Sequence, residues 1–104
     1  MRASKREKLA ARGWKVGAAG EFLGLTPEEE AYIELRLRLA EGLKTRRAKQ
    51  RLTQAELAEA VRSSQSRVAK MEAGDPTVSI DLLVRSLIAL GASNADLAKI
   101  IAAR

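Results

Sequence analysis

The sequence predicts an all-α protein, a small bundle of five to six helices with an N-terminal helical extension. Three observations lead there. Ser or Thr followed three residues later by Glu or Asp, the pattern of a helix capping box, recurs at Ser4, Thr26, Thr53 and Ser93. Apolar residues recur at helical spacings of three and four. Ala and Leu dominate the apolar set, whereas the aromatics are only Trp14, Phe22 and Tyr32.

The elements follow in order. Ser4 to Glu7 is a start signal and Gly13 a stop, so residues 5–12 form a short helix. Its one large apolar residue is Leu9, which makes it marginal alone. Residues 14–24 are Gly-rich, with room for one helix over 18–23. We take residues 1–25 as an extension and 26–104 as the domain. Thr26 caps the next helix, Pro27 occupies its first position and Glu29 closes the box. This helix runs to about Gln50. Tyr32, Ile33, Leu35, Leu37, Leu39, Ala40 and Leu43 spread over about 200° of its circumference, roughly twice what one core needs. One face packs on the domain. The other is left for the extension, a second subunit or another protein.

Thr53 and Glu56 start a short helix on which Leu57, Ala58 and Val61 share a face. Ser64 caps a second, where Val68 and Met71 point inward. The small Ala58 suits a close crossing of the two. Gln65, Ser66, Arg67 and Lys70 remain outside, and such groups read base edges and hold phosphates. Residues 52–72 therefore read as a helix-turn-helix. Residues 74–77 are a loop. Ser79 caps a helix with Ile80, Leu83, Leu87 and Leu90 on one face, ending at Gly91. Ser93 opens the last helix, which carries Leu97, Ile100 and Ile101. These last two helices are apolar on more than one side, so a homodimer through Leu83, Leu87, Leu97 and Ile100 is expected.

The net charge of +6 favours a polyanionic partner. One basic cluster lies in residues 2–15. A second comprises Arg36, Arg38, Lys44, Arg46, Arg47, Lys49 and Arg51, and runs into the motif. It is assigned partly to offsetting the helix dipole and partly to holding phosphates, with Arg47 among the phosphate contacts. Glu21, Glu28, Glu29, Glu30 and Glu34 form an acidic patch between the clusters.

With no His and no Cys, the usual bases, thiol nucleophiles and soft metal ligands are missing, so neither an enzyme nor a cofactor is expected. Consecutive Glu28, Glu29 and Glu30 point about 100° apart on a helix and cannot converge on one metal. They complement the helix dipole instead. Gly13, Gly17, Gly20 and Gly24 lack the strand-to-helix setting of a phosphate loop. No apolar run approaches a membrane span and no apolar stretch follows the basic start, so a cytoplasmic protein is expected.

Residues 43–90 resemble the XRE/Cro/CI-type helix-turn-helix domain of phage repressors and many bacterial regulators. The resemblance rests on Leu52-Thr-Gln-Ala-Glu-Leu-Ala58, on Ser64-Gln-Ser-Arg-Val-Ala-Lys-Met-Glu-Ala-Gly74 and on the helix ending at Gly91. It implies a lambda-repressor-like fold and a palindromic operator in double-stranded DNA. Gln54 would contact a phosphate, Gln65 and Ser66 bases, and Arg67 and Lys70 bases or backbone; Ser64 is counted among the DNA-binding residues with them. The turn residue usually held by Gly is Arg62. Either its φ is positive, at about 1 kcal/mol, or the second helix starts differently and Arg62 adds a phosphate contact.

The segments Gly13-Trp-Lys-Val-Gly17, Glu21 to Glu29 and Glu34-Leu-Arg-Leu37, taken with the motif, look like HigA-type antitoxins. That likeness implies a bacterial or phage-derived antitoxin that neutralises a basic, mRNA-cleaving RelE/HigB-like toxin and represses its own operon. A stand-alone or phage-type regulator and a protein-interaction adaptor without DNA binding remain open. For a partner protein, the expected contact residues are Trp14, Phe22, Tyr32, Ile33 and Leu37, beside the acidic patch.

Overall fold

The computed structural model describes residues 24–103, and all regular secondary structure among them is helical. The helices are α1 (Pro27–Lys49), α2 (Gln54–Ala60), α3 (Gln65–Glu72), α4 (Ile80–Ala89) and α5 (Asn94–Ala102). The helices expected over 5–12 and 18–23, with Trp14 and Phe22, lie outside the described residues. The chain divides into two compact units, one ending at Leu35 and the other comprising Arg36–Ala103.

Each helix starts where a hydroxyl satisfies its free amides. Thr26, Thr53 and Ser93 accept from the amides of Glu29, Glu56 and Asp96 at 3.1, 3.0 and 3.1 Å. Each carboxylate accepts in return from the cap residue's own amide, at 2.8, 2.8 and 2.9 Å. Ser64 and Ser79 accept from the amides of Arg67 and Leu82, both at 3.1 Å. Hydrogen bonding with the Ser93 backbone amide and side chain, together with the Arg46 guanidinium 3.2 Å away, holds the Asp96 carboxyl below its ordinary pKa.

Helices α1 to α4 end alike. In each, one residue turns left-handed while its amide and the next close back on the last turn's carbonyls. For α1 the residue is Arg51 (φ 58), with Leu52 N–H donating to Arg47 O at 3.1 Å. For α2 it is Arg62 (φ 56), with Ser63 N–H donating to Ala58 O at 2.8 Å. Gly74 and Gly91 fill the same place after α3 and α4.

The core of the second unit is aliphatic. Leu39, Leu43, Leu57, Val68, Met71, Leu83 and Leu87 are all 1% exposed or less. This corrects the expected dimer contact: Leu83 and Leu87 belong to the core and have no surface to offer. Ile88 and Ile101, at 54% and 42%, are the exposed large apolar residues of α4 and α5. The buried Ser86 hydroxyl donates to Met71 Sδ at 3.6 Å, so the core carries no unsatisfied hydroxyl there.

The second basic cluster is also corrected. Arg36 is buried, and its Nη1 donates to the carbonyls of Asp75 and Val78. Arg38 donates to Ile101 O, Arg46 pairs with Asp96 and Arg47 pairs with Glu72. Four of the cations reserved for phosphates and the helix dipole thus hold this unit together. Leu37 is half-buried. A Cβ added to Gly74 would come within 2.8 Å of its Cδ2, so one end of the Leu37 side chain lies against Gly74.

Gly42 sets the approach of α5 to α1, since an added Cβ would lie 2.7 Å from Ile100 Cγ2. Gly42→Ala therefore loses more to overpacking, about 1–3 kcal/mol, than the roughly 1 kcal/mol it gains in helix propensity. In an Ile100→Ala background the obstruction is gone and the same change becomes stabilising. Urea unfolding of the four proteins of this cycle should show that reversal of sign.

Candidate nucleic-acid interface

Helices α2 and α3 are joined by residues 61–64; of the residues expected inside, Leu57 and Ala58 from α2 and Val68 and Met71 from α3 are buried, while Val61 is half-buried. The turn at Arg62 takes the first of the two geometries considered. Its φ of 56 is the left-handed conformation, accepted by a residue with a Cβ at a cost of about 1 kcal/mol. Arg62 is exposed.

On the opposite side of α3, Gln65, Ser66, Arg67 and Lys70 are all exposed. Ser64 is exposed too, but its hydroxyl oxygen is engaged as the helix cap. An open concavity of about 320 Å³ lies beside this face, lined by Ser64, Ser66, Arg67, Lys70, Thr77 and Val78. Its far wall is the loop that Arg36 braces from beneath. Thr77 belongs to that wall and is absent from the sequence-derived set. Its hydroxyl and amide donate to Asp75 Oδ1 at 2.6 and 2.8 Å, and these bonds lower the Asp75 pKa.

A chain of side-chain hydrogen bonds runs from α1 to the first residue of α3. Arg47 forks onto Glu72, with Nε to Oε2 at 2.5 Å and Nη2 to Oε1 at 3.0 Å. Its Nη1 donates to Leu52 O at 2.7 Å. The Glu72 side chain is only 4% exposed, and its hydrogen bonds and charge raise the Arg47 pKa further. Glu72 Oε1 also accepts from Gln54 Nε2 at 3.1 Å, and Gln54 Oε1 accepts from Gln65 Nε2 at 2.6 Å.

The polarity of this chain is imposed from its buried end. An ionised carboxylate only accepts, so Gln54 must turn its Nε2 to Glu72 and its Oε1 to Gln65. Gln65 then has to donate. One N–H of its amide is used, while the other and the carbonyl oxygen remain for a ligand. Arg47, expected at a phosphate, is instead the anchor of this chain, because a carboxylate 25 residues away in sequence takes both sides of its fork. Gln54 and Gln65, expected to act separately, are coupled.

The family model described as a helix-turn-helix domain matches residues 38–100. The chain belongs to that family, and its class is that of a DNA-binding regulator. No curated protein and no solved structure matches the chain. Among the described residues no group of His, Cys, Asp or Glu is placed to hold a metal, and no helix is long and apolar enough to cross a membrane.

Glu72→Ala leaves the Arg47 guanidinium half-buried without its carboxylate and should destabilise the protein by about 3 kcal/mol in urea unfolding. Glu72→Gln keeps the volume and should lose less. A loss of only a few tenths of a kcal/mol in Glu72→Ala would show that the pair is a weak surface bridge.

Proposed function

We propose that the chain is a sequence-specific transcriptional repressor that reads a palindromic operator as a homodimer, and that it serves as the antitoxin of a toxin–antitoxin pair. The observation that carries the operator reading is the oriented amide of Gln65. Its free N–H and carbonyl oxygen match N7 and N6 of adenine, the bidentate pairing available to Gln in the major groove. Arg67 and Lys70 flank it as phosphate contacts or as donors to guanine, Ser66 adds a hydroxyl, and Ser64 and Gln54 lie at the edge where phosphates pass. The dimer reading is supported by the exposed Ile88 and Ile101. Two recognition helices roughly 34 Å apart would meet successive turns of one DNA face.

The antitoxin reading draws on the acidic side of the first unit. Glu28, Glu29 and Tyr32 are exposed, Tyr32 at 49%, while Glu30 and Ile33 are half-buried. An aromatic beside several carboxylates suits a basic protein, with the ring as anchor and the charges as steering. The stand-alone regulator is the reading that follows if this surface has no partner.

Two experiments test the proposal. Gln65→Ala should lose about 1–3 kcal/mol of discrimination at one adenine per half-site, whereas Lys70→Ala should weaken all duplexes alike and flatten the salt dependence. Selection from a random duplex library followed by gel shift reads both, and sedimentation of the same protein should show a dimer at micromolar concentration. Unchanged base preference in Gln65→Ala, or a monomer throughout, goes against the operator reading. For the antitoxin, Tyr32→Ala with Glu28→Lys should release the co-expressed basic protein of the adjoining reading frame while leaving operator binding intact. A neighbour that is harmless in cells, or is retained by that variant, leaves the stand-alone regulator.

A further inference from the structure

We propose that Arg51 and Arg62 form a clamp that holds the DNA sugar–phosphate backbone at the two ends of α2; this rests on the DNA-binding reading above. Four helices end in the same left-handed cap. Two use Gly, at Gly74 and Gly91, and two use Arg. The two arginines are the ones that bracket α2: Arg51 lies two residues before its cap Thr53, and Arg62 directly follows its last turn at Val61.

Both are exposed at φ values of 58 and 56, where a side chain is strained and Gly is not. Neither guanidinium has a hydrogen-bond or ion-pair partner among the described residues. The cap hydrogen bonds at both positions are ones that Gly would make without the strain, so they do not account for a side chain there, and two strained arginines with unpaired guanidinium groups point to a ligand.

The composition of α2 names the ligand. In a helix-turn-helix the first helix crosses the DNA backbone. Here that helix reads Gln-Ala-Glu-Leu-Ala-Glu-Ala, with two carboxylates and no cation. Glu56 is occupied by the cap, but Glu59 is exposed and repels phosphate. The charge needed to pass a polyanion across this helix has to come from its ends, and Arg51 and Arg62 are the groups there. Both keep their donors uncommitted, and a guanidinium fork fits a phosphate bidentately.

The test sets stability against binding. Arg51→Gly, Arg62→Gly, the double variant and the two Lys variants are compared with the parent by thermal melting. Their binding is measured on a random-sequence 30-base-pair duplex (~30, about three turns) and on a library-selected operator. Each Gly variant should melt a few degrees higher and yet bind several-fold more weakly at low salt. The slope of log affinity against log salt should fall by about 0.9 per arginine and about 1.8 in the double variant. Lys keeps both charge and strain, so the Lys variants should keep the slope and gain no stability. A parental slope in either Gly variant overturns the clamp. So does weaker binding with a lower melting temperature, since damage to the fold would then account for the loss. A parent that binds neither duplex removes the DNA-binding reading itself, which is a separate failure from a parent that binds with an unchanged slope in its variants.

Discussion

The constraint on which most of the second unit depends is the pairing of Arg47 with Glu72. It ties the end of α1 to the end of α3, and through Arg47 Nη1 it also holds the carbonyl of Leu52 ahead of α2. Three helices thus take their positions from one guanidinium. Desolvating such a pair is expensive, and a well-packed apolar substitute is often as stable. What an apolar substitute lacks is direction. Glu72 is an obligate acceptor, so it orients Gln54, and Gln54 orients Gln65. A part-buried ion pair here decides which atom of an exposed amide faces outward. The polar core and the reading face of α3 are consequently parts of one arrangement.

The helix ends express a second tension. A left-handed cap is met without strain at Gly74 and Gly91, where it serves only to turn the chain. At Gly74 the missing Cβ also makes room for Leu37. At Arg51 and Arg62 the same geometry carries a side chain at some cost in stability. A small aliphatic core without disulfides has little surplus stability to spend on strain. Gly would make the same cap hydrogen bonds without that strain, so two left-handed arginines in such a protein are informative.

Much of this was legible in the residues. All five described helices start at the expected Ser or Thr, because capping is a local interaction spanning three residues. The inward residues Leu57, Ala58, Val68 and Met71 followed from helical periodicity for the same reason. What the sequence did not disclose is long-range. Arg36, Arg38, Arg46 and Arg47 have the appearance of a solvated basic run, yet their partners lie 25 to 63 residues further on. Charge pattern alone does not distinguish an arginine that meets a phosphate from one that meets a distant carboxylate or carbonyl. Leu83 and Leu87 illustrate the converse. An apolar arc wider than one core needs says that some residues stay exposed, but which of them do is settled by packing, and here it is Ile88 and Ile101.

Removing the internally committed arginines also sharpens the electrostatics of the interface. Lys44, Lys49, Arg51, Arg62, Arg67, Lys70, Arg85 and Lys99 remain exposed on the second unit, with Arg85 paired to Asp81 at 2.9 Å. Of these, Arg51 and Arg62 stand at the ends of α2 and Arg67 and Lys70 on the outer face of α3, which leaves the motif four exposed cations of its own. The exposed carboxylates at the start of α1 have the opposite sign and are unsuited to lie along phosphates.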